Sequence, residues 1–413
     1  MKIVMLVANP CAPDARVVRE SETAQAAGHD VLVLAHAKPG LPAEERRNGV
    51  TYHRIDSALP PLRKARAETT ERAPPSPSAA PKSRLRARIR PLLPLTGVLL
   101  LDNAHRYARA ATAWKPDIVH AHDLQTLLAG AWIARRSGAR LVYDSHELET
   151  GRNAVYAWYE RRLRALYEWV LIKRTDAVIT VSDSIADYLA ALYGIARPAV
   201  VLNAPNVNKG PATGDHVRAR LGLGDSVPLA IYVGSVTVHR GIEEGVRALA
   251  HAPALHLALI GPRPPQMERK LLDEAAALGI GERLHLVDPV PHETVTAFVR
   301  TADVSLVLIQ NVCLSYRFCF PNKLLESLLA GVPVIASRLV ELEQMVERTG
   351  AGLVVDETDP AAIARGALEV ARHRARYAPS RDVIDRLSDA YSWQRQGAVL
   401  LSVYGRLADA SAA

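Results

Sequence analysis

The sequence predicts an α/β chain folded as two parallel-sheet halves of similar size. Short runs rich in Val, Ile and Leu recur from residue 3 to residue 355, and stretches with apolar residues at helical spacing separate most of them. That alternation belongs to parallel sheets covered on both faces. It pauses over residues 203–228, where Asn, Pro, Gly, Lys and Asp collect as they do between domains. The length, 413 residues at 49 % hydrophobic and 23 % charged, suits two or three globular domains. The division expected is 1–205, 206–390 and a closing segment 391–413.

In the first half the strands expected are 3–8, 31–35, 51–55, 118–121, 140–143, 177–181 and 200–202, with helices over 14–27, 124–137, 155–174 and 183–192. The opening apolar run is too short for a secretory leader and reads as the first buried strand. Ligands of such sheets bind beyond the carboxyl ends of the strands, which selects three loops. In the first, Asn9 and Asp14 precede a helix that Asp14 can cap. Arg16 and Arg19 follow one turn apart, set either to meet an anionic or hydroxylated ligand or to stand in solvent. No Gly-x-Gly-x-x-Gly pattern occurs here, which counts against a dehydrogenase. In the second loop His120 and His122 lie on one face of a strand end. A metal pair needs a third ligand there, and Asp123 points the other way, so no metal is expected. The third, Tyr143-Asp-Ser-His146-Glu147, suits acid–base chemistry or a polar network at a helix start.

Residues 57–91 break the pattern. They are rich in Pro, Ala, Ser, Lys and Arg, with four prolines over 74–81, and read as a mobile excursion. Within it Lys82, Arg84, Arg86, Arg88 and Arg90 alternate with Leu85 and Ile89. Such a run suits either an anionic membrane surface or a solvated linker.

The second half has expected strands at 229–233, 255–260, 284–287, 304–309, 332–336 and 353–355. After the first, Gly234 permits close backbone approach, and Arg240 precedes a helix whose start attracts phosphate. Residues 320–335 read as loop, helix, turn and buried strand: Pro321 opens the helix, Leu324, Leu325, Leu328 and Leu329 form its buried stripe, and Gly331 ends it. Lys323 and Glu326 share a face of the first turn. The free N–H groups at Asn322 with Lys323 suit a phosphate and the Glu326 carboxylate suits ribose hydroxyls, the spacing of a sugar nucleotide. An ordinary amphipathic helix with an exposed Lys–Glu pair is the other reading. Ile260-Gly-Pro ends a further strand whose backbone can line a base pocket. The tail 391–404 reads from its pattern as an amphipathic helix.

Whole-chain properties narrow the partners. The three cysteines, Cys11, Cys313 and Cys319, have no metal-ligand spacing, and a reducing cytoplasm is expected. Cys11 reads as a small filler. No apolar run approaches the roughly 20 residues of a membrane span. The net charge of +8 suits phosphorylated substrates, an anionic membrane or nucleic acid. With only 5 % aromatic residues and no nucleic-acid module, the last is excluded.

Residues 320–335, the strand end Asp117-Ile-Val-His-Ala-His-Asp123, the loop 9–19 and the loop 233–241 occur in the order found in family 4 of the GT-B glycosyltransferases, and nearly the whole chain resembles that family. The resemblance implies two Rossmann-like domains facing across a cleft, with a C-terminal helix crossing back to the first. It implies a donor site at Gly234, Ser235, Arg240, Asn322, Lys323, Leu324 and Glu326. It implies catalysis at His122 beside the transferred sugar, with Asn9, Asp14, Arg16, Arg19, His146 and Glu147 on the acceptor side. The activity implied is transfer of a hexosyl group, with retention and by front-face displacement, from a UDP- or GDP-sugar to a glycan, lipid-linked or small-molecule acceptor. Neither essential metal nor cofactor is implied, and the setting is cytoplasmic polysaccharide biosynthesis, with the basic segment 82–101 at the inner membrane face. Two positions depart from the family. Phe318 stands where the first motif Glu is usual, and Ser235 where the first phosphate cation is usual. Two other readings therefore stay open: a disaccharide phosphorylase of the same fold, and a non-catalytic scaffold.

Overall fold

The computed structural model describes residues 1–12, 14–56, 93–153, 158–204 and 214–412. The expected excursion 57–91, its basic run and residues 205–213 of the expected connection lie outside the described residues.

The first sheet has eight strands, β1 Lys2–Leu6, β2 Asp30–His36, β3 Glu44–Arg47, β4 Val50–Ile55, β5 Ile118–His122, β6 Arg140–Ser145, β7 Ala177–Thr180 and β8 Ala199–Val200, ordered β3-β4-β2-β1-β5-β6-β7-β8. The second has six, β9 Leu229–Val233, β10 His256–Ile260, β11 Leu284–Val287, β12 Val304–Val307, β13 Val334–Ser337 and β14 Gly352–Val355, ordered β11-β10-β9-β12-β13-β14. Every pairing is parallel except β3 with β4. Each order reverses once, beside β1 and β5 in one sheet and beside β9 and β12 in the other, and such reversals open a crevice at the strand ends.

The apolar runs fill both faces of each sheet. In the first, Val4, Leu6, Val119 and Leu141 pack beneath the helices Leu93–Trp114 and Asp123–Ser137. Ile3, Met5, Ile118 and Val142 face the opposite way, toward Val17, Leu400, Val403 and Tyr404. The last three belong to the helix Trp393–Ala412, which lies on the first domain. Trp393 Nε1 donates to Thr23 Oγ1 at 2.8 Å, and the Leu202 amide donates to Gln396 Oε1 at 2.9 Å.

Three elements differ from the sequence-based expectation. β3 is a charged edge strand that joins β4 through Asn48-Gly49, both at positive φ (49° and 83°), as a two-residue hairpin turn requires. The helix Leu93–Trp114 was not expected; Ala104, Tyr107, Ala108 and Ala111 bury its inner face. Pro321 is the cap of the helix Asn322–Leu329, not its first residue, with φ −79° and ψ 139°. No helix among the described residues is long and apolar enough to cross a membrane.

The domains meet along the seam of the two crevices. Ser182 Oγ donates to the Phe318 carbonyl at 2.7 Å, the Ser184 amide donates to Glu341 at 2.8 Å, and the rings of Tyr188 and Phe318 stand 5.6 Å apart. Phe318, one of the two positions that depart from the resembled pattern, is thus an apolar contact with the first domain.

Candidate active site

Strand periodicity explains the centre of the first crevice. His120 and His122 share the face of Ile118, and Asp144 that of Val142, so all three point toward the helix Ala15–Ala26 and its inner residues Arg16 and Glu20. The five side chains are buried together. Arg16 clamps Asp144 from Nε and Nη2, both at 2.9 Å, and stands 3.1 Å from Glu20 Oε1. His120 Nδ1 meets Tyr404 Oη at 2.7 Å, and its ring stacks on His122 at 4.3 Å. His146 Nε2 lies 3.1 Å from both His122 Nδ1 and Asp144 Oδ2, and its Nδ1 faces Asp123 at 3.6 Å. Asp123 opens its helix at φ 61°, a left-handed position that Asp tolerates better than most residues.

Burial, then His120, brings His122 down to about 3, so its ring is neutral. For His146 burial works against the charge, but Asp144 and Asp123 outweigh it and raise the ring to about 9. Asp144, although buried, is held well below the carboxylate range by Arg16 and His146, whereas burial raises Glu20. The His122 side chain is 0 % exposed, against 20 % for His146 and 32 % for Asp123. The catalytic candidate thus lies one layer beneath the cleft.

Several acceptor-side candidates turn inward. Asn9 Nδ2 donates to Asp14 Oδ2 at 2.7 Å while Asp14 caps the helix through the Val17 amide, so the pair braces the loop. Arg16 is not offered to a ligand: its Nη1 donates to the Val201 carbonyl at 2.6 Å, and its other nitrogens hold acids. Glu147 pairs with Arg152 at 2.8 Å. Arg19 does face the cleft; it donates to the Ala204 carbonyl, lies over Trp393 and feels the charge of Glu326 across the domains.

The second crevice holds a pair of cations. Lys323 is buried with Nζ 3.7 Å from the centre of the Tyr232 ring, and Arg240 lies 4.9 Å from that of Tyr316. Neither has a carboxylate within ion-pair distance among the described residues. Gly234, at φ 119°, brings the strand-end backbone beside them: a Cβ there would stand 3.8 Å from Lys323 Nζ. Ser235 is exposed, and its carbonyl accepts from Tyr232 Oη at 2.8 Å. Burial, then Arg240, lowers Lys323 to about 7. Glu326 is buried too, 3.4 Å from His292, and burial raises it to about 7 against Lys323 and Arg19. The Lys–Glu pair is therefore not an exposed surface pair. Leu324 is fully buried and Asn322 half-buried. Cys11 is buried, and its thiol is pushed up to about 12 by burial, no nucleophile at neutral pH.

Among the described residues the one group able to gather a metal is Glu20, His120, His122 and Asp144, whose ligating atoms lie within 4.8 Å of one another. Asp144 Oδ2 accepts from Arg16 and His146, whereas both Glu20 carboxylate oxygens and the Nε2 atoms of His120 and His122 have no hydrogen-bond partner. Sequence reasoning missed Glu20, Asp144 and His292. A signal existed for Glu20, which is i+4 from Arg16 on one helical face.

Two family models match the chain, Glycosyltransferase Family 4 over residues 15–208 and Glycosyl transferases group 1 over residues 227–373. A D-inositol 3-phosphate glycosyltransferase of Saccharomonospora viridis is 30 % identical over 311 residues, 70 % of this chain and 69 % of that protein. The sucrose-phosphate synthase of Thermosynechococcus elongatus superposes with a TM-score of 0.78 at 19 % identity, over 99 % of this chain and 100 % of that one. Anabaena HepE in complex with UDP-glucose superposes with a TM-score of 0.70 at 15 % identity, over 98 % of this chain and 100 % of that one.

Proposed function

Because the chain belongs to the family 4 glycosyltransferases and has their GT-B fold, we propose that it transfers a hexosyl group from a UDP- or GDP-sugar, with retention and without an essential metal, to a glycan, lipid-linked or small-molecule acceptor. The observation that carries this reading is the pair of Lys323, buried, and Arg240, half-buried, two cations on tyrosine rings with no carboxylate within ion-pair distance among the described residues. Such a pair suits the diphosphate of a donor, joined by the N–H groups of Asn322 and Lys323 at the helix start, whereas the Leu324 amide donates to the Pro321 carbonyl at 3.1 Å. Glu326, one turn on, holds the ribose. Gly234 and Ser235 contribute backbone beside the phosphates.

In the reaction the bond from the anomeric carbon to the diphosphate oxygen breaks, and the bond to the acceptor oxygen forms on the same face. The acceptor hydroxyl proton passes to the departing phosphate oxygen. Lys323 and Arg240 stabilise the charge gathering there. His122, one layer beneath the cleft, acts on the sugar site through His146, 3.1 Å away, and Arg19, His146 and Glu147 line the acceptor side, with Asn9, Asp14 and Arg16 bracing it. A covalent sugar intermediate is disfavoured, since Glu20 and Asp144 are 0 % exposed and engaged with Arg16. The setting we propose is cytoplasmic polysaccharide biosynthesis, with weak attachment to an anionic membrane through the basic segment 82–101.

A thermal-shift panel of nucleoside diphosphates and their sugar conjugates, followed by transfer assays, tests the reading. Stabilisation by UDP or GDP and transfer from the matching sugar nucleotide are expected. Stabilisation by neither would overturn it, and turnover of a disaccharide with orthophosphate would establish the phosphorylase instead.

A further inference from the structure

The helix Trp158–Ile172 turns an unusual face to solvent. Arg162, Leu166 and Trp169, with Lys173 just past the helix end, recur at intervals of four, three and four residues and so form one stripe. Leu163 stands beside it. Leu163, Leu166 and Trp169 are 46 %, 57 % and 46 % exposed, where large apolar side chains are usually covered. Lys173 Nζ lies 4.4 Å from the centre of the Trp169 ring, and Arg161 and Arg174 are exposed as well. Residues 158–174 hold two acids, and neither reaches this face: Glu160 is half-buried, and Glu168 is buried, accepting from Tyr143 Oη at 2.9 Å and Tyr193 Oη at 2.7 Å. Acids on the adjoining elements are engaged. Asp176 meets Arg140 at 2.9 Å, and Asp183 and Asp187 meet Arg197 at 2.7 and 2.6 Å. Leu192, 47 % exposed, extends the patch across a groove of about 440 Å³ that Tyr188 and Leu314 also line.

We infer that this face docks on an anionic membrane surface. A Trp–Leu centre flanked by cations matches the two layers such a surface offers. The leucines enter the boundary of the acyl chains, the indole sits at headgroup level, and the Lys and Arg stems carry their charges to the lipid phosphates. The face is a second contact beside the basic segment 82–101. Each is weak alone, and stable attachment takes two signals. The helix is tied to the acceptor side of the cleft by a chain of ion pairs: Arg164 meets Glu149 at 2.7 Å, Glu149 meets Arg152 at 2.9 Å, and Arg152 meets Glu147 at 2.8 Å. A bilayer held here lies beside the loop proposed to line the acceptor, which favours a lipid-linked acceptor over a soluble one. Only that last step rests on the proposed transfer reaction.

The test uses the full chain without donor. Vesicles are made of phosphatidylcholine alone or mixed with phosphatidylglycerol, with brominated acyl chains that quench a tryptophan entering their boundary. Quenching is expected with the anionic vesicles only, and it should be lost in Trp169→Phe. Leu166→Glu should weaken vesicle binding by about tenfold or more, since an apolar contact is replaced by a repelled charge. Both side chains are largely exposed, so both variants should keep the fold, which circular dichroism checks. No binding, or Leu166→Glu binding as tightly as the wild type, overturns the inference. Binding without quenching, or quenching undiminished in Trp169→Phe, also overturns it and leaves the segment 82–101 as the sole contact. A dimer in sedimentation velocity that Leu166→Glu dissociates would assign the face to a second copy of the chain instead. Vesicle binding needs no turnover. If no sugar nucleotide is used while Trp169 is still quenched, the transfer reading fails and the docking surface stands.

Discussion

Replacing Lys323 by Met keeps the length of the side chain and removes its charge. Holding the ammonium near 7 instead of its ordinary 10.5 corresponds to roughly 5 kcal/mol of interaction against the charged form, at about 1.36 kcal/mol per pH unit. In the unliganded protein that charge is a liability. Between pH 7 and 10.5 the unfolded chain binds a proton that the folded chain does not, so this residue makes stability rise with pH across that window. The Met variant should therefore be at least as thermostable as the wild type at pH 7, with any gain vanishing above pH 10.5. Its affinity for a nucleoside diphosphate should move the other way. Losing a charge-assisted bond to phosphate costs about 1.5–3 kcal/mol, or roughly 10- to 150-fold in Kd. In the wild type, diphosphate binding at pH 8 should take up a proton, because the ligand restores the ammonium, and affinity should weaken as pH rises above 7. Calorimetry in two buffers of different ionisation enthalpy measures both the Kd and the proton uptake. A Met variant that binds the diphosphate as tightly as wild type, or a wild type that binds it without proton uptake at pH 8, would refute the assignment of Lys323 to the phosphates.

Glu326→Ala should weaken nucleoside diphosphate binding by on the order of 2–4 kcal/mol while leaving the fold intact, since two hydroxyl groups lose a charged acceptor; unchanged affinity by calorimetry would remove it from the donor site. His122→Ala should lower kcat by tenfold or more with little change in diphosphate affinity, because a group acting on the reacting sugar contributes in the transition state; normal turnover would make it structural. The full chain should co-sediment with anionic but not neutral vesicles, and lose that binding in high salt or when Lys82, Arg84, Arg86, Arg88 and Arg90 become Gln, each cation contributing about 1 kcal/mol near the surface. Equal sedimentation with both vesicle types would leave the run a solvated linker.

The two parallel sheets were legible because strands buried on both faces read as unbroken apolar runs. β3 was not, since Glu44–Arg47 carries only charge; the Asn48-Gly49 pair held the signal for its hairpin. The helix Leu93–Trp114 was obscured by the Pro-rich stretch before it and by an inner face of small residues, Ala104, Ala108 and Ala111. At the site, Lys323 and Glu326 were legible as a pair one turn apart, but their burial depends on Tyr232 and His292, distant in sequence. The inward turn of Arg16 was hidden for the same reason: its partner Asp144 lies 128 residues away. Local spacing places side chains on a face, and only the packed fold decides whether that face meets a ligand or another helix.

The helix Trp393–Ala412 has a consequence for how the chain is built. Leu400, Val403 and Tyr404 pack with Ile3, Met5 and Ile118, so the first domain's own helix Ala15–Ala26 fills only part of that side of its sheet. During synthesis the second domain has all its strands, which end at Val355, before those closing residues exist. The usual N-terminal-first order of folding cannot complete here: the first half waits, with apolar β-strands only partly covered, until the helix Trp393–Ala412 has emerged. His120 receives its tyrosine partner at the same moment. A chain cut short before Tyr404 would thus carry every residue of the proposed donor site and still lack a finished first crevice.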